Sequence, residues 1–192
     1  MGNGAYSEGG AAAESRPPRL SDLAKVAAEL NRLGARYLVV GGFAIIQAGY
    51  PRFTNDIDLL IEASLENEAK VFEALRTLPD RAVDQLKSGD VARYIVVRIA
   101  DEVLIDLLQN SCGVTYNEAI ADHIIREVDG VPIPFASPRM LLRMKQTVRE
   151  KDIPDRLFLE GLLKDDKTAE GQKGWKGGLP LWLQKLFGNG KK

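Results

Sequence analysis

Three aspartates and a pair of glycines carry the chemistry legible in this chain. Asp56 and Asp58 open the run Asp56-Ile57-Asp58-Leu59-Leu60-Ile61, whose apolar content reads as a strand. Side chains alternate along a strand, so the two carboxylates share one face while Ile57 and Leu59 point to the other. Neighbouring carboxylates repel unless a cation lies between them. Asp106 stands in Val103-Leu104-Ile105-Asp106-Leu107-Leu108, a second and otherwise apolar strand pattern. A carboxylate there is costly to bury unless it is paired or bound to a metal. Three acids on neighbouring strands can hold two Mg²⁺ ions ~4 Å apart, at the attacking and leaving oxygens of a phosphoryl transfer. Mg²⁺, with Mn²⁺ as the alternative, prefers such oxygen ligands and shares its shell with substrate phosphates. Chemistry of this kind needs no His and no Cys. The single His123 and single Cys112 are therefore no obstacle.

Gly41-Gly42 supplies the other half of the site. The pair follows the apolar run Tyr37 to Val40 and precedes a short apolar helix, Phe43 to Ala48, ended by Gly49. A strand–Gly-Gly–helix junction lets backbone N–H groups and a helix N-terminus face an anion without interference from Cβ. A turn around Pro51 joins this phosphate cradle to the acid-bearing strand. Together they describe a nucleotide-handling site.

The rest of the chain must position these groups. Leu20 to Leu33 repeats apolar residues at helical spacing, with Ser21 or Asp22 as cap and Gly34 as stop. Ser64 caps a helix over Leu65 to Leu78, and residues 79–90 read as a polar stretch of short helix and loop. Arg93 to Ile99 and Val103 to Leu108 read as a hairpin around Ala100-Asp101-Glu102. Thr115 starts a short helix, and Asp129-Gly130 marks a second hairpin between Ile124–Val128 and Val131–Phe135. Ser137-Pro138 opens a helix to about Arg149, and another covers Pro154 to Lys164. The expected fold is α/β (α+β): a mixed, antiparallel-rich sheet flanked by helices, with a helical C-terminal end. Residues 1–18 read as a disordered tail, 19–136 as the core and 137–164 as its helical end. Residues 165–192 read as a flexible Gly/Lys-rich tail with one apolar patch, Leu179 to Phe187.

Composition sets outer bounds. The 192 residues are 45% hydrophobic and 28% charged, enough for one domain with a real core. No apolar run approaches the ~18 residues that cross a bilayer, and the first residues lack an apolar signal region, so no membrane partner is expected. One cysteine excludes an internal disulfide and fits a cytoplasmic setting; Cys112 is expected as a small buried filler. Residues 1–136 hold 13 Lys/Arg against 20 Asp/Glu, whereas 137–192 hold 13 against 7. An acidic body with a basic last third suits a metal site facing an anion, or equally an ordinary helical surface with a solvated tail.

The sequence Gly41-Gly42, Asp56-x-Asp58, then Asp106 resembles the DNA polymerase β-like nucleotidyltransferase superfamily. Arg52-x-Thr54-x-Asp56-Ile57-Asp58, with a late Lys145, Arg149, Lys151-Asp152 and Asp155, is most similar to AbiEii/MenT-type nucleotidyltransferase toxins. The resemblance covers roughly residues 20–164. It implies that Gly41 and Gly42 hold an NTP, ATP among the candidates, and that Asp56, Asp58 and Asp106 ligate the metals. Asp106 would also help deprotonate the acceptor hydroxyl, Lys145 would face the triphosphate, and Asp152 or Asp155 would be the late acid. Arg52 and Thr54 would bind substrate, though they read equally as loop residues fixing the turn. Lys145 read alone is a solvated helix lysine, and Asp152 and Asp155 are acids placed on a helix dipole. Phe43 departs from the pattern, standing where many members carry a hydroxyl.

Three functions follow from that resemblance. The first is transfer of a nucleoside monophosphate to RNA, a tRNA end above all, in a toxin–antitoxin setting with a cognate antitoxin. The second is the same transfer to a small hydroxylated molecule such as an aminoglycoside. The third is a non-catalytic nucleotide-binding or antitoxin-like partner, against which the intact acid triad argues. For RNA, Arg139, Arg143, Lys145 and Arg149 are expected to form a basic surface beside the site.

Overall fold

The structure, a computed structural model, describes residues 15–170. The expected apolar patch from Leu179 to Phe187 and the first 14 residues lie outside the described part. Element order is α1 (Leu20–Arg32), β1 (Tyr37–Val39), α2 (Gly41–Gln47), β2 (Asp56–Ile61), α3 (Leu65–Leu75), α4 (Asp90–Arg93), β3 (Val96–Ala100) and β4 (Leu104–Leu108). There follow β5 (Asn110–Ser111), β6 (Val114–Thr115), α5 (Tyr116–Ala119), β7 (His123–Val128), β8 (Val131–Ala136), α6 (Pro138–Met144) and α7 (Ile153–Glu170). Six strands form one sheet in the order β3-β4-β2-β1-β8-β7, while β5 and β6 pair separately. Three neighbouring pairs are antiparallel, and β2–β4 and β1–β8 are parallel, which is the mixed sheet expected.

Alternation decides which side of the sheet is core. Ile57, Leu59, Ile61, Ile105 and Leu107 are fully buried, and they share one face of β2 and β4. Asp56, Asp58 and Asp106 occupy the opposite face by the same alternation. Burying five such side chains stabilises each by roughly 1.5–3 kcal/mol, so the register that aligns the acids is fixed by the apolar residues between them. A slip of one residue would exchange the two sets.

Capping follows the sequence at two helices. Ser64 accepts from the Asn67 N–H at 3.3 Å, and Ser137 from that of Met140 at 3.2 Å with Pro138 at N1. At α1 the start moves forward: Arg19 is the N-cap, and the Asp22 carboxylate takes the Arg19 N–H at 2.7 Å. Residues 15–18 are not tail. Arg16 makes a parallel bridge with Val103 and donates to Asp22 at 2.7 Å and Glu102 at 2.9 Å. At the other end α7 runs to Glu170, past the expected stop at 164, because no Gly or Pro intervenes before Gly171.

Two further differences have physical reasons. Helix α6 stops at Met144 rather than near Arg149. Lys145 turns inward to buried acids, and Arg156 takes the Lys145 and Thr147 carbonyls at 3.1 and 2.8 Å, so the helix end is satisfied by a side chain. Cys112 is exposed, not a core filler, and lies in the tight turn before Gly113 with φ at 50°. Among the described residues no helix is long and apolar enough to cross a membrane.

Candidate active site

Parallel pairing of β2 with β4 sets Asp58 directly beside Asp106, with Asp56 one repeat along the same face. Carboxylate oxygens of Asp56, Asp58 and Asp106 all lie within 4.8 Å of one another. Burial together with the charges of Asp56 and Asp106 pushes the Asp58 carboxyl up to about 6, against the pull of the Gly42 N–H and Lys145. Such a cluster of hard oxygen donors, short of positive charge, fits a divalent cation of the Mg²⁺ type.

The glycines are required by close approach. Gly41 has φ at 57°, and a Cβ there would overlap the Asp58 carboxylate. At Gly42 a Cβ would overlap the Thr54 side chain. Instead the Gly42 N–H points at Asp58 Oδ2, 3.4 Å away, and the Val40 N–H donates to the Asp58 carbonyl at 3.0 Å. The α2 N-terminus is thereby pressed against β2, with both glycines facing the cleft.

The other expected residues divide into two groups. Arg52, Lys145 and Asp152 line the cleft with the three acids. Thr54 and Asp155 do not line it; they sit behind. The Thr54 hydroxyl lies 3.2 Å from both the carbonyl and Oδ1 of Asp56 and holds that residue in place. Asp155 is 1% exposed, accepts from Arg52 and forms an ion pair with Lys145 at 3.1 Å. Lys145 is not a solvated helix lysine: it is buried, its Nζ 2.8 Å from Asp152 Oδ1. Asp152 has no exposed surface, and it also accepts from Thr147 and from Arg149 Nε at 2.9 Å. Burial would raise its carboxyl, but the bonds from Lys145 and Thr147 win and hold it at about 2.

Sequence reasoning missed two residues. Arg98 on β3 lies directly opposite Asp106 and binds it through Nε at 2.8 Å and Nη2 at 2.7 Å. Alternation puts Arg98 on the outward face of its strand, and hairpin pairing puts that face beside Asp106; the signal was present. Asp101 read as a turn residue, yet it is 1% exposed. It accepts from the N–H groups of Asp80, Ala82 and Glu102 at 3.1, 2.9 and 2.8 Å, tying the β3–β4 hairpin to the 3-10 turn at Ala82–Gln85. Asp80 and Ala82 lie 21 and 19 residues away in sequence, and no local pattern announces them.

A glycine-bearing strand–helix junction beside three converging carboxylates on adjacent strands defines the nucleotidyltransferase class. Two solved structures agree on the fold. An antigenic nucleotidyltransferase-like protein from Paracoccidioides brasiliensis aligns with a TM-score of 0.50 at 21% identity, covering 78% of this chain and 79% of that one. The lincosamide antibiotic adenylyltransferase LnuA, bound to lincomycin, aligns at 0.50 and 15% identity, covering 77% of this chain and 99% of its own. The antibiotic-resistance factor ANT(2'')-Ia aligns at 0.44 and 14%, covering 79% and 92%. A comparison with curated proteins finds no significant match. The chain belongs to DUF2204, a family described as nucleotidyl transferases of unknown function, whose model matches residues 19–162.

Proposed function

We propose that the chain transfers a nucleoside monophosphate from an NTP to an acceptor hydroxyl in a divalent-cation-dependent reaction. The observation that carries this reading is the convergence of Asp56, Asp58 and Asp106 beside the Gly41-Gly42 junction. Those three acids would hold the cation, which when bound neutralises phosphate charge and polarises the reacting phosphorus centre. The acceptor oxygen forms a bond to the α-phosphorus, the bond to the β-phosphate oxygen breaks, and pyrophosphate leaves. The Asp106 carboxylate takes the acceptor's proton. Arg52, Lys145 and Arg149 line the same cleft and supply positive charge for the phosphates. Lys145 is aimed there by Asp152 and Asp155, so these acids act by positioning a cation rather than by touching substrate.

The acceptor is the finer question. An RNA end, with a toxin role and an antitoxin partner, rests on the front motif and on the basic last third. A small hydroxylated acceptor is favoured by a specific observation. Of the four cations expected to form an RNA surface, Arg143 pairs with Glu118 at 2.7 Å, and Lys145 and Arg149 are bonded to Asp152. We therefore place the small molecule ahead of RNA, with LnuA as an example of a lincosamide acceptor in the same fold. Incubation with each α-labelled NTP and Mg²⁺, adding total RNA in one arm and aminoglycosides or lincosamides in the other, tests both. Label that requires neither Mg²⁺ nor Asp58 overturns the reaction class. Label in RNA, with binding that weakens steeply as salt rises, overturns the acceptor order.

A further inference from the structure

Arg98 is bonded to two of the three acids that would hold the cation. Its guanidinium grips Asp106 with a two-pronged contact, and Nη2 also reaches Asp56 Oδ2 at 3.3 Å. The contact comes from β3, at an edge of the sheet, where Arg98 and Asp106 are direct cross-strand partners.

The two ends of this pair differ in what they lose on parting. The Arg98 side chain is 55% exposed, whereas that of Asp106 is 9% exposed. An exposed guanidinium returns to water at little cost. A buried carboxylate without a cation is strongly disfavoured. Asp106 therefore needs some positive charge, and Arg98 does not need Asp106. One cation can be exchanged there for another.

We propose that Arg98 is a displaceable internal counter-ion that holds Asp56 and Asp106 in the metal-free protein and yields them to a divalent cation, so setting the affinity for that cation. This rests on reading the three acids as the cation site of a nucleotidyltransferase. A guanidinium fork matches phosphate oxygens as well as it matches a carboxylate. Arg98 lines the cleft, so the triphosphate of an NTP is its second partner once Asp106 is released. Arg98 is thus a positioning residue without nucleotide and a phosphate contact with it.

The test uses the full chain as wild type, Arg98→Gln and Arg98→Lys, titrated with Mn²⁺ alone by calorimetry, with thermal unfolding recorded in EDTA and in Mn²⁺. Removing a competing charge tightens Mn²⁺ binding by about tenfold in Arg98→Gln, equivalent to ~1.4 kcal/mol. Arg98→Lys falls between, since it keeps the charge and loses the fork. The metal-free Gln variant melts below wild type, and Mn²⁺ recovers more of its Tm. A purely structural arginine would lower Tm without tightening Mn²⁺, and that result overturns the proposal, as does failure of all three proteins to bind Mn²⁺. If the Gln variant does not fold, the Lys variant decides by the same comparison. Pyrophosphate release from an NTP is measured separately. Its absence, with the Mn²⁺ effect intact, would sink the nucleotidyl-transfer reading and leave the role of Arg98 standing.

Discussion

Two groups of opposite charges face each other across the cleft, and they are built to different ends. Where α6 meets α7, Lys145, Asp152, Asp155, Arg52, Thr147 and Arg149 bond one another, and both acids are almost fully buried. On the sheet, three acids stand together, and one arginine that is half in water reaches two of them. The first group is closed around its two acids: three cations share them, so it specifies how α6 and α7 meet and leaves net positive charge on the cleft wall. The second is open and short of positive charge, and burial together with the neighbouring carboxylates pushes Asp58 up to about 6. Matched buried charge fixes structure, whereas unmatched charge held by a rigid strand pair is available to a ligand.

The sharpest way to break this contrast is to remove an acid from the open group. Asp106→Asn should leave the fold intact and lower pyrophosphate release on the order of 10³-fold, since cation stabilisation of the reacting group is worth several kcal/mol. Retained activity would mean that the open group is not the reaction centre. The closed group should behave in the reverse manner. Asp152→Ala leaves buried Lys145 without its nearest partner and should cost about 3–5 kcal/mol in urea denaturation. A loss near zero would show that this network contributes nothing to stability.

A milder substitution sharpens the comparison further. Asp58→Asn should stabilise the metal-free protein by up to ~2 kcal/mol at neutral pH, because it removes a buried carboxylate that must ionise beside two others. The sign follows from the raised carboxyl. Below about pH 4 it is protonated folded or unfolded and costs nothing; the penalty grows as pH rises and is complete above about 6. Stability curves of wild type and Asp58→Asn should therefore converge in acid. Asp152, held at about 2, gives the opposite trend: its contribution is full above about pH 4 and lost as pH falls towards 2. The smallest expected effect is outside the cleft lining. Arg139→Glu, on the exposed face of α6, should change stability by less than ~0.5 kcal/mol, and under the small-molecule reading should leave transfer unchanged.

The open group was legible in the residues themselves, whereas Lys145, Asp152, Asp155 and Arg52 of the closed one were singled out only by the family resemblance. Asp56, Asp58 and Asp106 sit in apolar runs, where alternation and the cost of burying a carboxylate expose them at once. Gly41-Gly42 was legible as a cradle, but the overlap with Asp58 and Thr54 that requires both glycines depends on β2 folding back beside α2. Lys145 read as a helix lysine because its surroundings in sequence are helical. Its partners Asp152 and Asp155 lie across a loop whose shape is set by the ion pairs themselves. Arg98 escaped notice for another reason. Strand alternation places it on the outer face, and only the pairing of β3 with β4 reveals what that face touches.

The two glycines also bear on how copies of this gene can decay. A single added methyl at residue 41 or 42 collides with Asp58 or Thr54, so neither position tolerates even the smallest substitution while those partners stay in place. The four residues form an interlock in which mutational drift has no neutral first step. A chain that carries alanine at either position can fold only if Asp58 or Thr54 moves, and with it the floor of the cleft.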